Sequence, residues 1–344
     1  MSDLANSPAF AVVPGAAVQQ ALAGNEKVVA GIVENAYRLH GGGRTVNPPS
    51  YFLRFPDRPS ARIIALPASL GGDEHPVDGL KWISSFPENL GKGLPRASAV
   101  LILNDPETGY PFACLESSVI SAARTAASAA LAADVLSRDR ARPSRVGFAG
   151  TGLIARYVHQ YLAGTGWEFS ETGVYDRSAE YAEGFRGYLE RSGATGVRVH
   201  DDAESLIRAS DLLVFATTAA EPHIADPAWF DHHPLVLHVS LRDLAPEMLV
   251  TACNVVDDVE HCLKANTSVH LLEQRLGHRE FLAGTLFDVL TGAVSAPADQ
   301  TVVFSPFGLG VLDLAVGEYV YAETARAGRL VSIDGFFSEL SRHG

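Results

Sequence analysis

The stretch RVGFAGTGLIARYVHQYL, residues 145–162, constrains the fold more than any other part of the chain. Arg145 to Ala149 reads as a strand, and the residues from Leu153 onward read as an amphipathic helix. Between them Gly150-Thr151-Gly152-Leu153-Ile154-Ala155 fits the pattern G-x-G-x-x-G/A. Gly150 permits the tight turn, Gly152 lets the backbone approach a pyrophosphate, and Ala155 keeps the helix close to the sheet. The unpaired N–H groups of the helix N-terminus then face the phosphates. A unit of this kind opens a parallel sheet with helices on both faces. Here it opens well inside a chain of 344 residues, so the first part needs its own account.

The texture changes twice along the chain. Residues 14–40 read as two helices closed by glycine. SYFLRFP, ARIIALPASL, GLKWISSFP, ASAVLILND and YPFACLES follow as short β-rich runs, with NDPETGYP as a hairpin turn. This pattern is an antiparallel sheet or small barrel. From Ser118 a long alanine-rich helix begins, and after it strands and helices alternate, as a parallel sheet requires. The predicted class is α/β: a Rossmann-type dinucleotide-binding domain over 125–312, and an α+β substrate domain. The latter is built from 1–124, with the tail, 313–344, returning to it. A cleft between the two is the expected place for a substrate.

The second strand of the parallel sheet ends in Asp176. A carboxylate there takes ribose hydroxyls and repels a 2′-phosphate, so NAD is the expected cofactor. Arg177 follows it and is counted with the cofactor residues. FATTAAEP closes the fourth strand and puts Thr217 and Thr218 at the nucleotide edge, and Ser240 closes the fifth.

The formal charge of −13 argues against nucleic acid or an anionic membrane as partner. Arg124, Ser128 and Asp134 interrupt the most apolar run, Ala122 to Leu136, so no membrane span is expected. MSDLANSPAF lacks the plan of a signal peptide, and three widely spaced cysteines suit reduced thiols; the expected location is cytoplasmic. Asp257, Asp258, Glu260, His261 and Cys262 gather in one segment without a recognised ligand spacing. They read as a strand end and helix start, and no metal is expected.

Against this acidic background, single cations in apolar or glycine-rich surroundings stand out. Lys81 lies inside GLKWISS, Arg44 follows HGGG, and Arg124 sits in SAARTAASAA. Together they suggest a carboxylate pocket. In VLHVSLRDLAPEML, Asp243 at the end of the fifth strand is a candidate general acid/base or helix cap. Arg242 is a candidate for a second carboxylate, and His238 reads as a packed histidine or a proton shuttle.

With these residues in view, the chain resembles the ornithine cyclodeaminase/mu-crystallin family over nearly its whole length. Arg44, Lys81, the RTAA at 124–127, the GTG turn, Asp176 and Asp243 carry the resemblance. It implies that Arg44, Lys81 and Arg124 hold a substrate carboxylate. Arg124 and Thr125 would face cofactor phosphates, Lys81 and Asp243 would serve catalysis, and the protein would be a homodimer. TVNPPSYFLRFP, GLKWISSFPENL, SLRDLAPE and FSPFGLGVLDLAVG look like the branch of 2,3-diaminopropionate biosynthesis dehydrogenases of siderophore and peptide-antibiotic pathways. That branch implies oxidative cleavage of N-(1-amino-1-carboxy-2-ethyl)-glutamate, made by a partner synthase, to 2,3-diaminopropionate, 2-oxoglutarate and NADH. The alternatives are a cyclodeaminase or imine/ketimine reductase of the same family, and a nucleotide-binding protein without turnover. Where ornithine cyclodeaminase has a glycine-rich turn, this chain has Leu241-Arg242-Asp243, which suits an extra carboxylate rather than a terminal ammonium.

Overall fold

The computed structural model describes residues 8–72 and 76–338; most of the N-terminal stretch read for a targeting signal lies outside them. The chain divides into two compact units, Met1–Arg124 with Leu309–Gly344, and Thr125–Gly308.

The first unit opens with β1 (Ala11–Val13), α1 (Gly15–Leu22), α2 (Glu26–Gly41), β2 (Thr45–Val46) and β3 (Tyr51–Phe55). It continues through β4 (Arg58–Leu70), β5 (Val77–Ser85), β6 (Ala97–Asn104) and β7 (Pro111–Glu116) into α3 (Ser118–Leu136), which carries the chain across the boundary. The second unit holds β8 (Arg145–Ala149), α4 (Leu153–Gly164), β9 (Glu171–Tyr175), α5 (Ala179–Arg191) and β10 (Val197–Val199). Next come α6 (Ala203–Arg208), β11 (Leu212–Phe215), β12 (Leu235–His238), α7 (Pro246–Leu249) and β13 (Cys253–Val256). It ends with α8 (Val259–Cys262), α9 (Ser268–Leu276), β14 (Leu282–Thr285), α10 (Leu286–Thr291) and β15 (Val302–Ser305). α11 (Gly310–Arg326) and β16 (Val331–Ser332) belong to the first unit. The return therefore comes earlier than residue 313, because α11 is one unbroken helix.

The first sheet runs β16-β1-β7-β6-β5-β4-β2, with β3 also paired to β4. Among the described residues its end strands do not pair, so it is an open sheet rather than a barrel, and it is mixed, since β1 lies parallel to β7. The antiparallel register sorts its side chains into rows. One row, Leu66–Lys81–Leu101–Leu115–Val13, is buried throughout. α11 covers this face, approaching so closely that a Cβ on Gly317 would meet Leu101 at 2.2 Å. The neighbouring row, Tyr51–Ala65–Trp82–Val100, points the other way. Tyr51, Trp82 and Val100 in it are exposed. Adjacent residues on β5 thus invert the usual order: the lysine is inside and the tryptophan outside.

The second sheet is wholly parallel, in the order β10-β9-β8-β11-β12-β15-β13-β14. β11, β12, β13 and β15 are buried at every residue, as strands covered on both faces must be. Strand order reverses between β8 and β11, and the carboxyl ends at such a switch point are where α/β sheets take ligands.

α3 bears on the membrane question. By length and composition it is the one helix among the described residues that is apolar enough to cross a membrane, despite Arg124, Ser128 and Asp134. Its apolar window is 83% buried within the protein, which is how a core helix behaves.

Candidate active site

At the switch point, the turn after β8 is dictated by close approach. Gly150 has φ +85°, and a Cβ there would lie 2.7 Å from the Ala216 carbonyl oxygen and 3.1 Å from Thr217 Cα. The backbone leaving β11 is in the way, so nothing larger than glycine fits. Gly152 differs: it is exposed, and a Cβ on it would meet nothing within 4 Å. No protein contact requires that glycine, and its bare backbone leaves room for a ligand to approach. It caps α4 without a side-chain hydrogen bond, and no acid stands in the first turn. Leu153 beside it is exposed and Ile154 half-buried. Asp176 is held ready: its carboxylate accepts from Thr151 N (3.0 Å), Thr151 Oγ1 (2.8 Å) and Ser178 N (3.0 Å). Arg177 is exposed. These features fit a dinucleotide, with pyrophosphate on the backbone at Gly152 and ribose at Asp176. Gly150→Ala is expected to destabilise the protein by about 2 kcal/mol or more, from left-handed strain plus the backbone clash. Denaturant unfolding checks this, and unchanged stability would mean that the turn relaxes.

Asp243 is completely buried three residues past Ser240, in the loop after β12. The loop after β11 pins it, because the Asp243 carbonyl accepts from the backbone N–H groups of His223 and Ile224, both at 3.0 Å. Its carboxylate is ringed by donors. Thr217 donates to Oδ1 and Ser240 to Oδ2, and His238 Nε2 lies 3.3 Å from Oδ2. Burial pushes this carboxyl up, but hydrogen bonds from His238, Ser240 and Thr217 outweigh it and hold the group below the usual carboxylate range. The carboxylate is thus held in its ionised form and in a fixed position. Thr217 and Ser240, read from sequence as nucleotide ligands, have their hydroxyls committed to Asp243; Thr218 is exposed next to them.

The cation cluster is in the first unit. Lys81 Nζ lies 2.6 Å from Asp313 Oδ2 and 3.3 Å from Ser121 Oγ. Arg124 Nε lies 3.2 Å from Asp313 Oδ1. Lys81 is 2% exposed and Asp313 0%. Two cations therefore share one carboxylate, which leaves one positive charge in excess. A buried unpaired charge is costly, and an anion is its natural complement. Burial lowers the Lys81 pKa from 10.5 to about 8, with Asp313 opposing the shift and Arg124 reinforcing it.

Asp313 is the residue that sequence reading missed. The signal was available: one acid in the otherwise apolar start of α11, GVLDLAVG, where the neighbouring positions are all buried. Thr125 is half-buried, one residue beyond Arg124. Arg44 lies outside the buried cluster, exposed directly before β2. Arg242 sends Nη1 to the Ala220 carbonyl (3.2 Å) and Nη2 to the Ala265 carbonyl (2.8 Å), so it straps two loops together. In the acidic segment Asp257 accepts from the backbone of Phe307 and Gly308, and Asp258 caps α8 at His261 N. Asp257 also faces the Cys262 thiol at 3.0 Å and Asp258 the His261 ring at 2.7 Å, so both acids have partners within the protein.

The ornithine cyclodeaminase/mu-crystallin family model matches residues 16–328. The chain belongs to that family. Among its relatives, N-((2S)-2-amino-2-carboxyethyl)-L-glutamate dehydrogenase of Staphylococcus aureus is 28% identical, over 89% of this chain and 93% of its own length. The crystal structure of CmnK is 32% identical with a TM-score of 0.85, covering 96% of this chain and 100% of that one. An archaeal alanine dehydrogenase dimer with bound NAD is 28% identical with a TM-score of 0.84, again over 96% and 100%. Members of the family thus share this two-unit chain essentially end to end.

Proposed function

We propose that this family member is an NAD-linked dehydrogenase that oxidatively cleaves N-(2-amino-2-carboxyethyl)-glutamate, the conjugate expected from sequence. The observation that carries the reading is the buried trio of Lys81, Arg124 and Asp313, whose excess positive charge calls for a substrate carboxylate. The choice of conjugate is supported by the Staphylococcus aureus relative and by Arg242 preceding Asp243. NAD as cofactor is supported by the Gly152 and Asp176 geometry and by the alanine dehydrogenase relative with NAD bound.

In this reading Lys81 and Arg124 hold the glutamate α-carboxylate and so fix its Cα–H, while Arg44 and Arg242 serve the remaining carboxylates. Thr125, Thr218 and Arg177 are assigned to the nucleotide. NAD held at the Gly152 turn and Asp176 would supply the acceptor for the hydride leaving Cα. The neutral secondary amine becomes an iminium as that hydride leaves. Asp243, as carboxylate, takes a proton from the water that adds to the iminium carbon. It returns that proton to the departing nitrogen and, as a carboxylate again, takes the hydroxyl proton as the carbinolamine C–N bond breaks and the ketone forms. The products are 2,3-diaminopropionate, 2-oxoglutarate and NADH. The conjugate must come from a synthase that joins glutamate to a phosphoserine-type donor.

We assign the exposed row of Tyr51, Trp82 and Val100 to the contact with a second copy. An apolar row on an open sheet face needs covering, and the alanine dehydrogenase relative is a dimer.

The pH dependence tests the carboxylate assignment. Lys81 is a cation below about pH 8 and neutral above it. An anion stabilises the cation, so binding is strongest below that value. KM for the conjugate is therefore expected to rise about tenfold per pH unit above 8, until the pKa of the bound state is passed. A KM that stays level from pH 7 to 9.5 would remove Lys81 from carboxylate binding.

A further inference from the structure

We propose that His238 is the positioning residue for Asp243: it carries its proton on Nε2, donates it to the carboxylate, and is held in that tautomer by Ser305. This rests on the reading of Asp243 as the base.

The ring is 1% exposed, on the last residue of β12. It pairs across the sheet with Phe215, whose ring it meets edge-on at 6.2 Å. On the other side, one rung beyond the Leu237–Phe304 pair, Ser305 brings Oγ within 3.2 Å of Nδ1. Three strand ends therefore clamp the imidazole, and its two nitrogens face different partners.

Nε2 is contested. It lies 3.3 Å from Asp243 Oδ2, an acceptor, and 3.2 Å from the Asp243 backbone N–H, a donor. A neutral imidazole has one proton, so it satisfies one of these. With the proton on Nδ1, Nε2 accepts the backbone N–H, but its lone pair then also faces a buried carboxylate. With the proton on Nε2, the Asp243 N–H loses this acceptor, which costs about 1–3 kcal/mol for a buried donor, but the ring makes a charge-assisted bond to that carboxylate, roughly twice as strong as a neutral one, and no lone pair faces the anion. Nδ1 then needs a donor, and the Ser305 hydroxyl supplies it. The other titratable groups nearby do not compete. His223 Nε2 is 3.9 Å from Asp243 Oδ1 and largely exposed. The Cys262 thiol, with one proton, faces the Asp257 carboxylate (Oδ1, 3.0 Å) and the Ser305 carbonyl (3.2 Å); burial and the Asp257 charge push its pKa well up, so it stays a thiol, and Asp257 is engaged by it and by the Phe307 and Gly308 N–H groups rather than by His238.

Two measurements test the assignment. The first needs no substrate: ¹⁵N NMR of the imidazole in the free protein. The expected result is a protonated Nε2 and a bare Nδ1, with Ser305→Ala raising the Nδ1–H population. A protonated Nδ1 in the unaltered protein would overturn the proposal. The second is the ratio of variant to unaltered kcat across pH, in which ionisation of the substrate cancels. For His238→Leu the ratio is expected to fall at least tenfold between pH 8.5 and 5.5, because buried Asp243 then ionises less readily. Ser305→Ala should fall in the same direction although Ser305 does not touch Asp243. His238→Gln, which restores a donor, should give a level ratio. Level ratios for all three would show that the ring is only packed. If the unaltered protein turns over no conjugate, the proposed function fails, and the NMR result still decides where the proton sits.

Discussion

Asp243→Asn is expected to lower turnover by about a hundred- to ten-thousand-fold, the usual contribution of a positioned acid/base. Nucleotide affinity should stay within about twofold. Asparagine has nearly the shape of aspartate, and the Thr217 and Ser240 hydroxyls around it can rotate to accept as well as donate. The backbone bonds from His223 and Ile224 to the Asp243 carbonyl do not involve the side chain, so the loop keeps its course. The substitution therefore removes a base and little else. Single-turnover kinetics and NADH fluorescence titration together separate the two effects. Unchanged turnover would remove Asp243 from the chemistry, and lost nucleotide binding would make it structural.

The second large effect is on stability. Asp313→Asn removes the one carboxylate shared by Lys81 and Arg124, both buried. Breaking a buried ion pair by taking one partner typically costs about 3–5 kcal/mol, because the remaining charge is stranded. Here two cations are stranded against an amide. Lys81 can relieve part of the strain by giving up its proton, and losing Asp313 drives its pKa further below about 8. The variant should therefore unfold at lower denaturant concentration and recover some stability as pH rises. Denaturation at pH 7 and pH 9 measures both. A variant as stable as the parent at pH 7 would mean that the cluster is hydrated and not the charged site described above.

Much of this was legible in the sequence because local rules agree with the tertiary outcome. The turn at Gly150–Gly152 is readable because a positive φ and a bare backbone admit few residues. The parallel sheet is readable because strands buried on both faces must be apolar throughout. β1, β14 and β16 escape because two to four residues show no alternation. Lys81 was legible as an oddity in an apolar strand. Its partner Asp313 lies 232 residues away in sequence, and only the packing of α11 on the sheet brings them together. Thr217 and Ser240 were legible as residues at the strand ends, but their hydrogen bonds to Asp243 were not. Which partner a hydroxyl takes depends on loop paths that strand patterns do not record. The bonds from Arg242 to the Ala220 and Ala265 carbonyls were likewise not legible, since those carbonyls come from residues distant in sequence.

The most direct test of the central claim is NADH absorbance on mixing purified protein, NAD and synthetic N-(2-amino-2-carboxyethyl)-glutamate, with ornithine in a parallel cuvette. The account predicts one NADH and one 2-oxoglutarate for each conjugate consumed, and no net NADH from ornithine. Ammonia and proline from ornithine, with no NADH from the conjugate, would contradict it and make the chain a cyclodeaminase.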